Sequence, residues 1–288
     1  MGSVVDTYYA YEHSPVVISD FSPPRKGKGI DISVLENIDC DFISVAANPG
    51  KLVRVDPIIM AHEIRDKTGT EVIFNLTPRD MNKIALQSHL LGAQVLELQN
   101  LVVMQGDPLG IQELEHGVSS VGNFTTTSLL ESISELNKAR DYRGRPLLAP
   151  TEFCVGATVD LGRNLEREMT LLRRKLEMGA EFLITQPVFE IETITNFIEM
   201  YSDKYGSTLD IPIFWGIQIL EKNGLSLSEV PDEVKKELEG GISGTQISIE
   251  LVAEFLKQGL KGIYLVPPIR RGGSRDYEVV GEVVRAFR

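Results

Sequence analysis

The chain has 288 residues, 42% hydrophobic and 24% charged, with a formal net charge of −12, which suffices for a large core in one domain. The acidic balance excludes a nucleic-acid binder, which needs a basic face to neutralise phosphates, and disfavours an anionic membrane surface. Cys40 and Cys154 are the two cysteines, both inside apolar runs. They read as reduced, buried thiols of a cytoplasmic protein and supply no disulfide, zinc or iron–sulfur framework.

Residues 1–15 are rich in Tyr and acid and lack the basic start and apolar core of a leader peptide. They are expected to form a tail ordered by packing on a partner, with residues 16–288 as a single domain. No apolar run reaches the roughly 20 residues that a membrane helix needs. Eight short, β-branched runs then recur, at 16–20, 42–46, 71–75, 101–105, 153–158, 182–186, 212–217 and 262–266. The segments between them carry helical periodicity. A helix over 79–92 would use Met81, Ile84, Ala85 and Leu91 as its apolar positions and stop at Gly92. One over 164–178 would use Leu165, Met169, Leu172 and Leu176 and stop at Gly179; another over 247–258 would stop before Gly259. Eight strands alternating with helices predict an α/β chain closed as a single (β/α)8 TIM barrel, the competitor being an open doubly wound sheet.

A barrel gathers its chemistry just beyond the strands. The polar residues there include Asp20, Asn75, Thr77, Gln105 to Asp107, Thr158, Gln186 and Gln218. They contain no nucleophile–base pair. His13, His62, His89 and His116 fall on the tail, helices or a loop, so no metal site is expected. Neither a Walker loop nor G-x-G-x-x-G follows the first strand. Acid–base work therefore falls to Asp20 and Asp107 and ring recognition to amides such as Gln186, a set that suits a bound organic cofactor. Two basic groups, Arg270, Arg271 and Arg275 after the last strand and Arg25, Lys26 and Lys28 after the first, are either anion contacts or solvated loops.

Five segments carry a family resemblance: Ile43-Ser44-Val45-Ala46-Ala47-Asn48-Pro49, Phe74-Asn75-Leu76-Thr77-Pro78-Arg79-Asp80, Met104-Gln105-Gly106-Asp107-Pro108, Val155-Gly156-Ala157, and the run from Arg174 to Pro187 ending Phe182-Leu183-Ile184-Thr185-Gln186-Pro187. In this order they resemble methylenetetrahydrofolate reductase, in the short bacterial form also found fused to homocysteine methyltransferase domains. The resemblance implies Asp107 near the flavin ring and the pterin, Gln186 and Gln218 as substrate contacts, and Ala46, Asn75, Thr77, Gln105, Gly106, Ala157, Thr158 and Lys175 around the flavin. Asp20 stands where the family usually has a glutamate general acid, one methylene longer. Ala46, Asn75 and Gln105 stand where Thr, His and Arg are common, so a fixed charge near the flavin is lost at Gln105.

What the resemblance implies for activity is ping-pong hydride transfer from NADH or NADPH through FAD to 5,10-methylenetetrahydrofolate, yielding 5-methyltetrahydrofolate for methionine biosynthesis. FMN, or no tightly held flavin, stays open, as does an electron-delivering protein in place of the nucleotide and assembly as a homo-oligomer. Two other readings of the same residues are a catalytically idle pterin-binding subunit and a folate-dependent methyltransferase barrel.

Overall fold

The computed structural model describes residues 2–12 and 14–288; the tail position of His13 falls outside them. Eight parallel strands, β1 (Val16–Phe21), β2 (Phe42–Val45), β3 (Glu71–Leu76), β4 (Asn100–Val103), β5 (Cys154–Val159), β6 (Phe182–Pro187), β7 (Ile213–Gln218) and β8 (Gly262–Val266), pair in sequence order. The last pairs back onto the first, Val16 opposite Gly262 and Ile18 opposite Tyr264, and closes the barrel. Each strand lies within two residues of the run expected for it, because a strand buried on both faces reads as a continuous apolar segment.

The helices are α1 (Val4–Ala10), α2 (Pro57–Thr68), α3 (Lys83–Val95), α4 (Ile111–Glu115), α5 (Thr126–Leu136), α6 (Leu165–Glu177), α7 (Ile191–Tyr205), α8 (Asp232–Glu239), α9 (Gly244–Lys257) and α10 (Glu278–Arg285). The connection from β1 to β2 holds only a 3-10 turn, Ser33–Asn37. Alternation along the strands separates two cores. Val16, Ile18, Phe42, Ile73, Val102, Phe182 and Phe214 fill the barrel interior, while Val17, Ile43, Val72, Phe74, Leu101 and Leu183 face the helices.

Two expectations are corrected. The described part of the tail is ordered by its own chain: α1 packs on the barrel, with Val4 fully buried and its N–H donated to Asn100 Oδ1 at 3.0 Å. Tyr8 meets the Phe214 ring edge-on, 5.6 Å between centroids, and Lys261 Nζ donates to the Tyr8 and Tyr11 carbonyls. The apolar side chains of α1 find the open amino-terminal end of the barrel and cap it. The second correction concerns α3. It begins at Lys83 with Asn82 as its N-cap, runs through Gly92 to Val95, and buries Leu86, Leu90 and Ala93. Ile84 and Leu91 face solvent, 63% and 40% exposed, because the Pro78–Asp80 turn delays the helix and rotates its buried stripe. By contrast α6 and α9 end where expected, before Gly179 (φ +102°) and Gly259 (φ +77°).

Candidate functional site

The carboxyl ends of the strands form a mouth with two chemically different sides. On the first, Asp20 continues the inward-facing row of Val16 and Ile18 and is 6% exposed. The Tyr264 hydroxyl, from β8, donates to Asp20 Oδ1 at 2.8 Å, and Arg275 NH1 approaches Oδ2 to 3.9 Å. Burial pushes the Asp20 carboxyl above its ordinary range, against the opposing pulls of the Arg275 guanidinium and the Tyr264 hydroxyl. Burial, with Asp20 beside it, also holds the Tyr264 phenol well above its usual value. Ser44 lies against Tyr264 and donates to Asn75 Oδ1 at 3.3 Å. One hydrogen-bonded row therefore joins β8, β1, β2 and β3 across the mouth.

The second side is a cavity of 410 Å³ beyond β4, whose lining includes Gln105, Gly106, Asp107, Phe124, Leu171 and the α5 start at Thr125 to Thr127. Gly106 has φ +76°, and a Cβ there would stand 3.2 Å from Thr77 Cγ2, so glycine lets the chain turn tightly against Thr77. Asp107 is exposed; its Oδ2 accepts the Gly50 N–H at 3.1 Å. Arg79, the one cation among the lining residues, is forked onto Asp80 and donates to the Asp107 carbonyl at 2.9 Å. What the cavity offers an anion is therefore the N-terminus of α5 and its hydroxyls, where first-turn N–H groups lack intrahelical partners.

Gln186 sits at a β-bulge, where pairing with β7 shifts between Ile184 and Pro187. The bulge depends on Gly216 of β7: a Cβ there would stand 2.6 Å from the Thr185 carbonyl oxygen. The Gln186 amide is partly exposed and has no hydrogen-bond partner among the described residues. Thr77 and Ala46 also lie at the mouth, and Thr158 follows the inward position of Cys154 on β5.

Three expected contacts are not presented there. Ala157 is fully buried between strand and helices, on the opposite face from Cys154. Lys175 is tucked behind β5, its Nζ donating to the Thr158 carbonyl at 2.6 Å and 3.4 Å from Glu168 Oε1. Burial pulls this lysine below its ordinary range, with Glu168 opposing, and its Nζ is engaged at the strand end. The Gln218 amide is spent on the β7 loop, donating to the Leu225 carbonyl and accepting the Leu227 N–H. The sequence reading missed Tyr264 and Ser44, which strand alternation alone would have placed in the barrel, and the cap of α5.

A family model described as methylenetetrahydrofolate reductase matches residues 7–267. The chain belongs to the methylenetetrahydrofolate reductase family. A probable methylenetetrahydrofolate reductase (NADPH) of Caenorhabditis elegans is 24% identical over 89% of this chain and 41% of its own length. A probable NADH enzyme of Oryza sativa subsp. japonica is 22% identical over 85% of this chain and 44% of its own. The chain thus spans under half the length of these curated relatives. A solved structure of an uncharacterized protein from Clostridium thermocellum, described as binding two copies of 5-methyl-5,6,7,8-tetrahydrofolic acid, shares the fold. It aligns with TM-score 0.65 and 12% identity over 99% of this chain and 98% of that one. Among the described residues no helix is long and apolar enough to cross a membrane.

The lining of the second cavity tests whether the mouth can hold a flavin. The second cavity fits one in kind: an amide at Gln105, a carboxylate at Asp107, an apolar wall at Phe124 and Leu171, and a helix N-terminus. It would hold the phosphates by dipoles and hydroxyls, with its one lining cation already engaged.

Proposed function

We propose that the chain reduces 5,10-methylenetetrahydrofolate to 5-methyltetrahydrofolate, with NADH or NADPH as the source of hydride. The family match supports the substrate class, and the observation that carries the chemistry is a buried carboxyl at the mouth whose neutral form is favoured by its surroundings. Asp20, oriented by Tyr264, gives its proton to the folate nitrogen that leaves the methylene bridge as the five-membered ring opens. That leaves an iminium cation, which the Asp107 carboxylate stabilises. The unengaged amide of Gln186, donor and acceptor together, pairs with the pterin edge. Hydride addition to the iminium carbon completes the methyl group.

Gln105, Gly106, Asp107 and the first turn of α5 are the residues that would hold a flavin, FAD or FMN, which when bound supplies a hydride relay between nucleotide and folate. Since no unspent cation lines that cavity, flavin is expected to leave on dilution. Ala157, Lys175 and Gln218 take no part in this reading.

The test is an anaerobic assay of the purified chain with 5,10-methylenetetrahydrofolate, FAD or FMN, and NADH or NADPH, scored for methyl product. Product formation with either nucleotide supports the reading. Tight folate binding with no turnover under any combination would replace it with an idle pterin-binding subunit.

A further inference from the structure

The structure divides the two basic groups of the sequence. Arg270 is held by Glu221 and Asp276, at 3.1 and 2.7 Å, Arg271 Nε donates to the Asn223 carbonyl, and Lys26 Nζ donates to the Gly29 carbonyl. Arg275 alone turns inward. Its side chain is 10% exposed, and its 3.9 Å approach to Asp20 is too long for a hydrogen bond. Both Nε and NH1 of Arg275 are buried without an acceptor among the described residues.

Beside it stands a second guanidinium that the sequence did not flag. Arg54 donates from NH1 to the Pro23 carbonyl at 2.6 Å, while its Nε, like the Ser22 hydroxyl, is buried and unpartnered. The corner is built firmly: Val55 N–H bonds the Pro24 carbonyl, Ser22 N–H bonds the Tyr277 hydroxyl at 3.0 Å, and the Phe21 and Tyr277 rings pack with centroids 5.2 Å apart. Burial, and then the like charges of Arg275 and Arg25, lower the Arg54 pKa. Arg54, held on the Pro23 carbonyl, and Arg275, two residues before the Tyr277 that bonds Ser22, thus share one corner of a chain whose net charge is −12. Neighbouring guanidiniums with unspent donors repel each other unless an anion lies between them.

We infer that Arg54 and Arg275, with the Ser22 hydroxyl, form a binding site for a carboxylate or phosphate at the edge of the mouth beside Asp20. A planar guanidinium offers such groups two parallel hydrogen bonds. Under the proposed function the anion is either the glutamate tail of the folate or a phosphate of the nucleotide. Its place next to Asp20 lets the charged end anchor a substrate while its reactive end meets the acid.

Arg54 does not touch Asp20, so Arg54→Gln and Arg54→Lys carry the test, with Arg275→Gln as companion and thermal melts as the check on folding. Pyrophosphate alone should raise the melting temperature of the unaltered chain and fail to do so for Arg54→Gln, with partial recovery in Arg54→Lys. An undiminished shift in Arg54→Gln would overturn the site. Affinity is then compared for 5-methyltetrahydrofolate carrying one or three glutamates, and for NADH and NADPH. A loss of about ten-fold in Arg54→Gln, the size of one charge-assisted pair, identifies the source by the ligand that suffers it. No loss for any of the four would also overturn the site. The pyrophosphate arm needs no folate chemistry, so failure of the anion site and failure of the reductase reading give separate results.

Discussion

Asp20 lies near the end of one apolar strand and Asp107 just beyond another, and the barrel treats them differently. Asp20 ends an inward-facing row, is 6% exposed, and is held by a half-buried tyrosine and a nearby arginine. Asp107 lies four residues beyond the last residue of β4, is open to water, and accepts a loop N–H. A few residues of chain past a strand end are enough to move a carboxyl from a desolvated position to one open to water. A site that needs one proton donor and one fixed negative charge can therefore be built from two residues of the same type.

The strongest way to break this comparison is Asp20→Asn. Turnover should fall at least about 100-fold, the low end of general acid catalysis, with steady-state rates as the check. Stability should move the other way. The Asp20 pKa is raised by folding, so its favourable contribution is complete below the ordinary carboxylate value and is lost as pH rises through the raised one. Above that point the unaltered chain carries a buried charge that the neutral amide of the variant lacks, and urea melts over a pH series should show the variant gaining stability relative to the unaltered chain as pH rises. A variant less stable at neutral pH than in acid, relative to the unaltered chain, would contradict the assignment.

Tyr264→Phe sharpens the same side. Removing the donor leaves an unpaired buried carboxyl and should cost about 1–2 kcal/mol, read by denaturant unfolding. Because the Tyr264 bond lowers the Asp20 pKa, its loss should also move the limb of the rate profile assigned to Asp20 toward higher pH.

The cavity side is probed by addition. Gln105→Arg places a fixed cation beside the α5 N-terminus and should tighten FMN or FAD by about ten-fold, measured by flavin fluorescence titration. Unchanged affinity would show that flavin phosphates do not lie there. The smallest effect is expected for the stability of Asp107→Asn, within about 0.5 kcal/mol, because an exposed side chain that accepts one N–H can be replaced by an amide that accepts it equally. A large destabilisation would mean that Asp107 is structural and that the contrast with Asp20 is false.

Much of this architecture is local information. Eight apolar runs, the glycine stops at Gly179 and Gly259, and the specific order of the Gln105-Gly106-Asp107-Pro108 and Thr185-Gln186-Pro187 segments are properties of the chain read from end to end. Strand burial and helix termination depend on neighbours within a few residues, so fold class and family were legible there. The partners of each side chain were not. Lys175 and Ala157 look like site residues in a motif but face the layer between strands and helices, and Gln218 is used up by a loop seven to nine residues away. Tyr264 meets Asp20 across 244 residues, and Arg54 comes within electrostatic reach of Arg275 only because the loops after the first, second and last strands share one corner. Closing the barrel brings β8 against β1, and which groups are then desolvated together depends on that closure. The sequence determined that strands would end in polar residues; the tertiary structure decided which of them are desolvated strongly enough, against the pull of a neighbouring arginine, to favour holding a proton.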